Sequence, residues 1–494
     1  MNKGLAHWRF GCCGLALLAG CAVGPDYHRP DVSAPVAFSP RAIDLSTAPA
    51  GEARQAIAPG AALVAQWWQL FEHRGLNALV QEAVVRNPSV AIAQANLAQA
   101  EHLLSAQRGT LLPQLNLAAS AGRGKSTING LGNNTTQRSF GPTLSFDLDV
   151  FGAGARRIEQ GKALVAYQRV QLAAAQMNLS AQMVLQVLNA AMVREQIEAI
   201  EHVIQIGQQN RTATRELLDA GKGTQLDVLT AEQQLALTRT LLPSLRQQLA
   251  VAEHAIAVLL GRAPADWTPP AFRLAEFHLP EQLPLALPSD LLRRRPDIVA
   301  AELLLQSYNA DVGAATAALY PRLSISADWS ETKSSLGAFD TTTQVRNLAI
   351  NLLAPIFDGG TLRAQRDATV DAYASQLGQY RQVTLQAFQE VADLLSTLEQ
   401  DTAYLAENDA ALQSSVNMLD LSRESYKAGV ANVLQLLEAQ RAHQVSLMGV
   451  ATARGYRYLH TVQLFVALGG GWPGLSPGAE PAAVAPQNAT DRKP

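Results

Sequence analysis

The grouping Gly221-Lys222-Gly223-Thr224 is this chain's nearest approach to a phosphate-binding loop. That chemistry needs glycine at 216, so that backbone N–H groups can cradle the phosphates, and Ser or Thr at 223 to hold Mg²⁺. The chain has Glu216 and Gly223 instead. Gly152-Ala153-Gly154 would need a further glycine at 157 to open a dinucleotide-binding helix, and that residue is Arg157. The 9 histidines are scattered, and none pairs with another at metal-ligand spacing beside a carboxylate. His202 and His254 read as helix-surface residues. No catalytic site emerges, so the expectation is a non-enzyme with no metal ligands. One nucleophile has a definite fate. Leu18-Ala19-Gly20-Cys21 resembles a lipobox, in which the cysteine thiol takes a diacylglycerol and the new N-terminus an acyl chain such as palmitate.

The residues around Cys21 agree. Lys3 and Arg9 precede a short apolar run from Gly11 to Gly20, too short to span a bilayer, so residues 1–20 read as a lipoprotein signal peptide. Cys12, Cys13 and Cys21 are the chain's 3 cysteines; maturation leaves one, capped by lipid, and excludes a disulfide framework. Ala22 follows the cysteine, where aspartate would favour inner-membrane retention, and this points to the outer membrane of a Gram-negative cell. Removing Lys3 and Arg9 takes the formal charge from −3 to −5, and Arg293-Arg294-Arg295 is the one basic cluster, so no nucleic-acid partner is expected.

The elements that carry these residues occur twice. Pro296 lies 208 positions after Pro88, Pro321 lies 208 after Pro113, and Gly429 and Ala439 lie 208 after Gly221 and Ala231. That period is far longer than a solenoid unit and implies a duplicated helix–strand–helix module. The first repeat is read as 61–261 and the second as 291–472, with an equatorial linker at 262–290. A lipidated, proline-rich surface tether at 21–60 and a loose tail at 473–494 flank them.

Alternating segments mark strands at about 114–121, 142–150, 322–329 and 346–353, as in Leu144, Phe146 and Leu148 against Ser145 and Asp147. Polar, flexible connections are expected at Gly122–Gly141 and Ser330–Arg346. An apolar face to lipid and a polar face to a lumen would make a membrane β-barrel. Four strands cannot close one, so the chain must oligomerise. Asp147, Asp149 and Asp328 would then line the lumen. Proline-free stretches such as 155–219 and 362–427 predict helices of about 60 residues, roughly 90 Å long, and hence an elongated protein. Val193, Ile197, Ile200 and Ile204 form one coiled-coil seam, and Leu245, Leu249, Ala252 and Ile256 form another. Pro243 should break or kink the returning helix.

Several motifs together resemble the TolC-type outer-membrane efflux channel family, specifically its lipidated OprM/NodT branch. They are Cys21-Ala22-Val23-Gly24-Pro25-Asp26-Tyr27, Trp67-Trp68-Gln69-Leu70-Phe71, Leu287 to Ile298 through Arg295-Pro296-Asp297, and Ala467-Leu468-Gly469-Gly470-Gly471-Trp472. The resemblance implies a mainly α fold with a membrane β-barrel, in which two pseudo-repeats per protomer assemble as a homotrimer. Its parts would be a 12-stranded β-barrel and a 12-helix α-barrel. It implies a periplasmic gate at Asp227, Tyr426 and Glu438, while Ala431 and Gln435 replace a gate arginine and aspartate found in the family. It also implies a periplasmic adaptor meeting the tips at 220–227 and 426–438, through Gly221, Lys222, Gly223 and Thr224 and through Gly429, Val430, Ala431 and Asn432. An inner-membrane RND-type pump and outer-membrane lipid complete the expected partners of a small-molecule exit duct. A channel for type I protein secretion and a coiled-coil adaptor lipoprotein are the alternative readings.

Overall fold

The computed structural model describes residues 22–472, apart from 42, 46, 47, 50, 62, 129, 130, 337 and 338. Cys21, the signal peptide and the tail 473–494 lie outside the described residues. In chain order the strands are β1 (Ala56–Pro59), β2 (Gln114–Ile128), β3 (Leu131–Leu148), β4 (Gln282–Leu285), β5 (Arg322–Leu336) and β6 (Phe339–Leu353). The helices are α1 (Arg74–Arg86), α2 (Pro88–Gly109), α3 (Ala153–Asp219), α4 (Gln225–Arg239), α5 (Leu241–Leu259), α6 (Pro288–Arg294), α7 (Pro296–Ala317), α8 (Thr361–Lys427) and α9 (Val433–Ala467). The chain divides into two compact units: one from the described part of residues 1–32 with 95–170 and 300–382, the other from 33–94, 171–299 and the described part of 383–494.

The first unit holds an antiparallel 4-stranded sheet in the order β2-β3-β5-β6. Each repeat supplies one hairpin, and β3 joins them by pairing with β5, for example Phe146 opposite Ile325. Residues directly opposite across a ladder share a face. One face therefore carries Leu115, Leu144, Ala327 and Leu348 in a single row, and the other carries Asn116, Thr143, Asp328 and Asn347. Leu115, Leu348, Ile350 and Leu352 are all exposed, so the apolar face has no cover within the protomer. β2 and β6 are edges with nothing paired outside them.

The strands run further than their alternation suggested. The polar connections expected at Gly122–Gly141 and Ser330–Arg346 are mostly strand, with Thr136 opposite Arg123 and Thr343 opposite Thr332. Backbone pairing continues past the apolar band because its N–H···O bonds do not depend on side-chain polarity, and threonine suits the pleat. The β3–β5 ladder is interrupted at Gly141-Pro142. Proline has no N–H to donate, and a Cβ at Gly141 would sit 1.9 Å from the Trp329 carbonyl oxygen.

The second unit is built on helical seams. Val193, Ile197, Ile200 and Ile204 of α3 cluster with Leu235 of α4 and Leu245 of α5, and Leu249 packs against them. The helix returning along α3 is split at Thr240, between α4 and α5. Pro243 sits in the first turn of α5, where its missing N–H costs nothing; further in, it would have displaced the carbonyl of Arg239. The equivalent helix in the second repeat, α9, lacks that proline and runs unbroken over 35 residues.

The segment read as a surface tether is docked through a short strand and side-chain contacts. β1 pairs in parallel with β4. Arg454 bridges Glu52 at 2.8 Å and Glu195 at 2.7 Å, and buried Arg457 donates to the Ala53 carbonyl at 2.6 Å. Within the first unit, Arg156 reaches Asp26 at 2.9 Å and Asn309 donates to the Pro25 carbonyl at 3.0 Å. Proline favours extended backbone and withholds donors, so arginine and asparagine side chains on the helices supply the missing hydrogen bonds. Just beyond the segment, Trp67 and Phe71 are fully buried against Phe465.

The two faces of the sheet make opposite demands on substitution. Leu348→Lys places a charge in the middle of the apolar band and should lower folding stability in bilayers by about 2–4 kcal/mol. Asn347→Lys, one residue away on the polar face, should cost less than about 1 kcal/mol. Urea titration of the protein folded into lipid vesicles reads both; equal losses would mean the faces are misassigned.

Candidate functional site: the helix-hairpin tips

Both turns between paired helices are built from the same parts. α3 ends in a left-handed cap: Gly221 has φ +72°, its N–H reaches the Leu218 carbonyl at 2.9 Å, and the Lys222 N–H reaches Leu217 at 2.8 Å. α8 ends identically, with Gly429 at φ +74°, its N–H on Tyr426 at 3.0 Å and the Val430 N–H on Ser425 at 2.9 Å. Glycine is needed at each because a Cβ is strained at positive φ.

The next helix in each case opens on a reciprocal capping box. At α4, the Thr224 hydroxyl accepts from the Asp227 N–H at 3.2 Å, and the Asp227 carboxylate accepts from the Thr224 N–H at 2.9 Å and its hydroxyl at 2.7 Å. At α9, Asn432 Oδ1 accepts from the Gln435 N–H at 2.9 Å, and Gln435 Oε1 accepts from the Asn432 N–H at 3.0 Å. Asn432 and Gln435 each lie 208 positions after Thr224 and Asp227. The boxes satisfy N–H groups that a helix start leaves without partners. They explain Gln435, which the sequence reading noted only as a departure from the family's gate.

Asp227 is thus half-buried in its own cap. Tyr426 is half-buried and packs on both sides, against Ala231, Val433 and Leu437 and against Leu419, Leu436 and Ala439. Glu438 is exposed and pairs with Arg441 at 3.2 Å on its own helix, an interaction worth about 0–1 kcal/mol. Among the described residues, no hydrogen bond or ion pair links these three side chains within the protomer. The surface around them is open: Gly221, Lys222, Thr224, Gly429, Val430 and Asn432 are exposed, and Gly223 and Ala431 half-exposed.

Sequence reasoning missed a pair of apolar residues here. Leu226 is 72 % exposed and Leu434, 208 positions on, is 56 % exposed. Each is the second residue of its helix, and no core of the protomer covers it. The constant offset would have found them. Deeper in the hairpin, burial and the neighbouring His202 and Arg423 push the His443 imidazole below its ordinary pKa, which favours an uncharged seam.

The sheet separates the three aspartates assigned to a lumen. Asp147 lies on the polar face and pairs with Arg322 of the adjacent strand. Asp328 lies on the same face between Thr143 and Asn347. Asp149 is not a barrel residue. β3 ends at Leu148, and the Asp149 carboxylate accepts from the Gly154 and Ala155 N–H groups at 2.8 and 2.7 Å, capping α3. Asp358 does the same for α8, where N–H groups of Leu362 and Gly360 hold its carboxyl below the usual range.

The outer membrane efflux protein family matches residues 79–262 and again 287–470. The second segment starts and ends 208 positions after the first. The chain is 32% identical over 426 residues to the pyoverdine export outer membrane protein OpmQ of Pseudomonas aeruginosa, covering 83% of this chain and 88% of that protein. It is 28% identical to the cation efflux system protein CusC of Escherichia coli O6:H1, over 93% and 98% of the two chains. The outer-membrane channel OprN superposes with a TM-score of 0.81 at 29% identity, over 92% of this chain and all of that one.

Thr224→Ala with Asn432→Ala removes both hydroxyl and amide caps and should cost about 1 kcal/mol per tip. Amide exchange at 225–228 and 433–436 should quicken about fivefold, with the α3–α5 seam unchanged. Uniform acceleration along both hairpins would show that the caps are not local devices.

Proposed function

Because this chain belongs to the outer membrane efflux protein family, we propose that three copies form a passive exit duct for small molecules, opened at the hairpin tips by a periplasmic adaptor. The chain is an outer-membrane channel of a tripartite efflux system. An inner-membrane pump of the RND type supplies the free energy, and the duct itself performs no chemistry. One observation carries the reading: a sheet with an apolar face, a polar face and two open edges. Hydrocarbon does not tolerate unpaired N–H and C=O groups. Three sheets of four strands, closed edge to edge, satisfy every edge and leave the polar faces around water.

Asp328 and the Asp147–Arg322 pair then line the barrel. Among the described residues Asp328 is the one carboxylate of that face with no ion pair, and it makes the lining weakly acidic. Cys21, lipidated, tethers each copy to the periplasmic leaflet. Gly221 to Thr224 and Gly429 to Asn432 form the adaptor-facing surface. Leu226 and Leu434 are its apolar anchors, since leucine presented on a rigid helix start loses little entropy on docking.

The gate is assigned to Asp227, Tyr426 and Glu438. Three-fold symmetry brings three copies of each carboxylate toward the axis, where like charges that close repel, so the closed ring must be held by contacts of these carboxylates that outweigh the repulsion. Tyr426, wedged between the helices of its hairpin, couples movement of one helix to the other. OpmQ is named for pyoverdine export and CusC for cation efflux, so the shared architecture serves different cargoes and leaves the cargo of this duct open.

Planar-bilayer recording tests the duct and gate together. The variant Asp227→Asn/Glu438→Gln removes charge while the asparagine oxygen can still accept the cap hydrogen bonds. Wild type should open rarely, and the variant at least about tenfold more often, as expected when roughly 1.4 kcal/mol of closed-state contacts is lost. Frequent opening of both would discard the gate assignment, and silence from both in inserted protein would discard the duct.

A further inference from the structure

The lipid-facing side of the sheet changes character toward its hairpin ends. From Leu148, Leu323 and Leu352 up to Leu144 the face is apolar on every strand for three rows, and Leu117, Pro142 and Trp329, then Ala119 and Phe140, carry it two rows further beside Arg346, Glu331 and Gln344. At about 3.3 Å per residue and a tilt near 40°, that band spans roughly 20–25 Å, the height of a barrel's hydrocarbon belt. Trp329 and Phe140 stand near its upper edge. Beyond them the same face becomes basic. Arg138 sits directly opposite Lys333. Arg123 lies diagonal to Arg138, opposite Thr136, and Lys125 follows one row further. Arg346, opposite Trp329, lies just below.

Like charges directly opposite on neighbouring strands are destabilising unless something compensates. Glu331 pairs with Lys333 at 3.5 Å, and Asp340 lies on this face opposite Ser335. These two acids face five cations, and among the described residues Arg123, Lys125 and Arg138 have no ion-pair partner. The polar face at the same height carries Ser120, Gly122, Ser139, Thr332 and Thr343, with no charge. The cations therefore do not serve the lumen. They are confined to the side that meets lipid, at the level where headgroups begin.

We propose that Arg123, Arg138 and Lys333 form a phosphate-binding patch for the outer-leaflet glycolipid, repeated three times around the barrel. The ligand class is a bis-phosphorylated glucosamine lipid such as lipid A. Its acyl chains would lie along the apolar rows while a phosphate bridges Arg138 and Lys333. Arginine forks match phosphate oxygens two at a time, and aromatic residues at the interface fix the depth. The proposal rests on the outer-membrane channel reading.

Native mass spectrometry of the full-length trimer, delipidated in detergent with EDTA, reads the patch. Lipid A should bind the wild type, and its dephosphorylated form at least about tenfold more weakly. The variant Arg123→Gln/Arg138→Gln/Lys333→Gln should lose lipid A affinity by at least about tenfold, whereas Arg138→Lys/Lys333→Arg should keep it. Equal affinity for the two lipids would overturn the proposal, as would unchanged binding by the glutamine variant. If that variant does not assemble, the two-lipid comparison on wild type decides. Conductance of the glutamine variant in phosphatidylcholine bilayers should match wild type, so a failed patch and a failed channel are told apart.

Discussion

The open edges of β2 and β6 are the constraint from which the rest follows. In water, an edge strand is solvated; in hydrocarbon, each unpaired backbone group costs several kcal/mol. A chain that contributes only four strands has one remedy, which is to lend its edges to copies of itself. Closure forces a lumen, because the polar face must then turn inward, and it forces symmetry on everything attached to the sheet. The long helices that continue from the strands inherit that symmetry, so one capping motif becomes a ring of identical motifs.

Duplication economises on design but is not carried through completely. The 208-residue offset preserves the glycine caps, the capping boxes and the exposed leucines at both tips. It does not preserve charge or continuity. Asp227 is matched by Gln435, and Pro243, which splits one returning helix, is matched by Ala451. The two hairpins are therefore alike in how they turn and different in how they can move. A helix interrupted at Thr240 bends there more readily than the unbroken α9, because the break removes intrahelical hydrogen bonds.

Much of this was legible before any coordinates. The repeat showed in proline and glycine positions because those residues mark where backbone must break or turn, whatever the packing. The seams showed because Val193 to Ile204 keep a coiled-coil period. Strand length was not legible past Gly122 or Ser330, since outside the hydrocarbon neither face needs to be apolar and alternation fades while the hydrogen-bonded ladder persists. Asp149 was misread for a related reason. Its alternation with Leu148 and Val150 continues the strand pattern, yet its carboxylate is taken by the first N–H groups of α3. The docking of the proline-rich segment was hidden because its partners, Arg156, Arg454 and Arg457, are distant in sequence. The adaptor-lipoprotein alternative gives the two-faced sheet no role, and the family match sets it aside.

Edge closure can be tested by hydrogen–deuterium exchange of the lipid-inserted protein, followed strand by strand. The account predicts that amides of β2 and β6 within the apolar band, such as those of residues 115–119 and 348–352, are protected as well as those of β3 and β5. Alternating fast-exchanging amides along β2 and β6, beside a protected β3 and β5, would mean the edges are open, and the trimeric barrel with all that follows from it would be wrong.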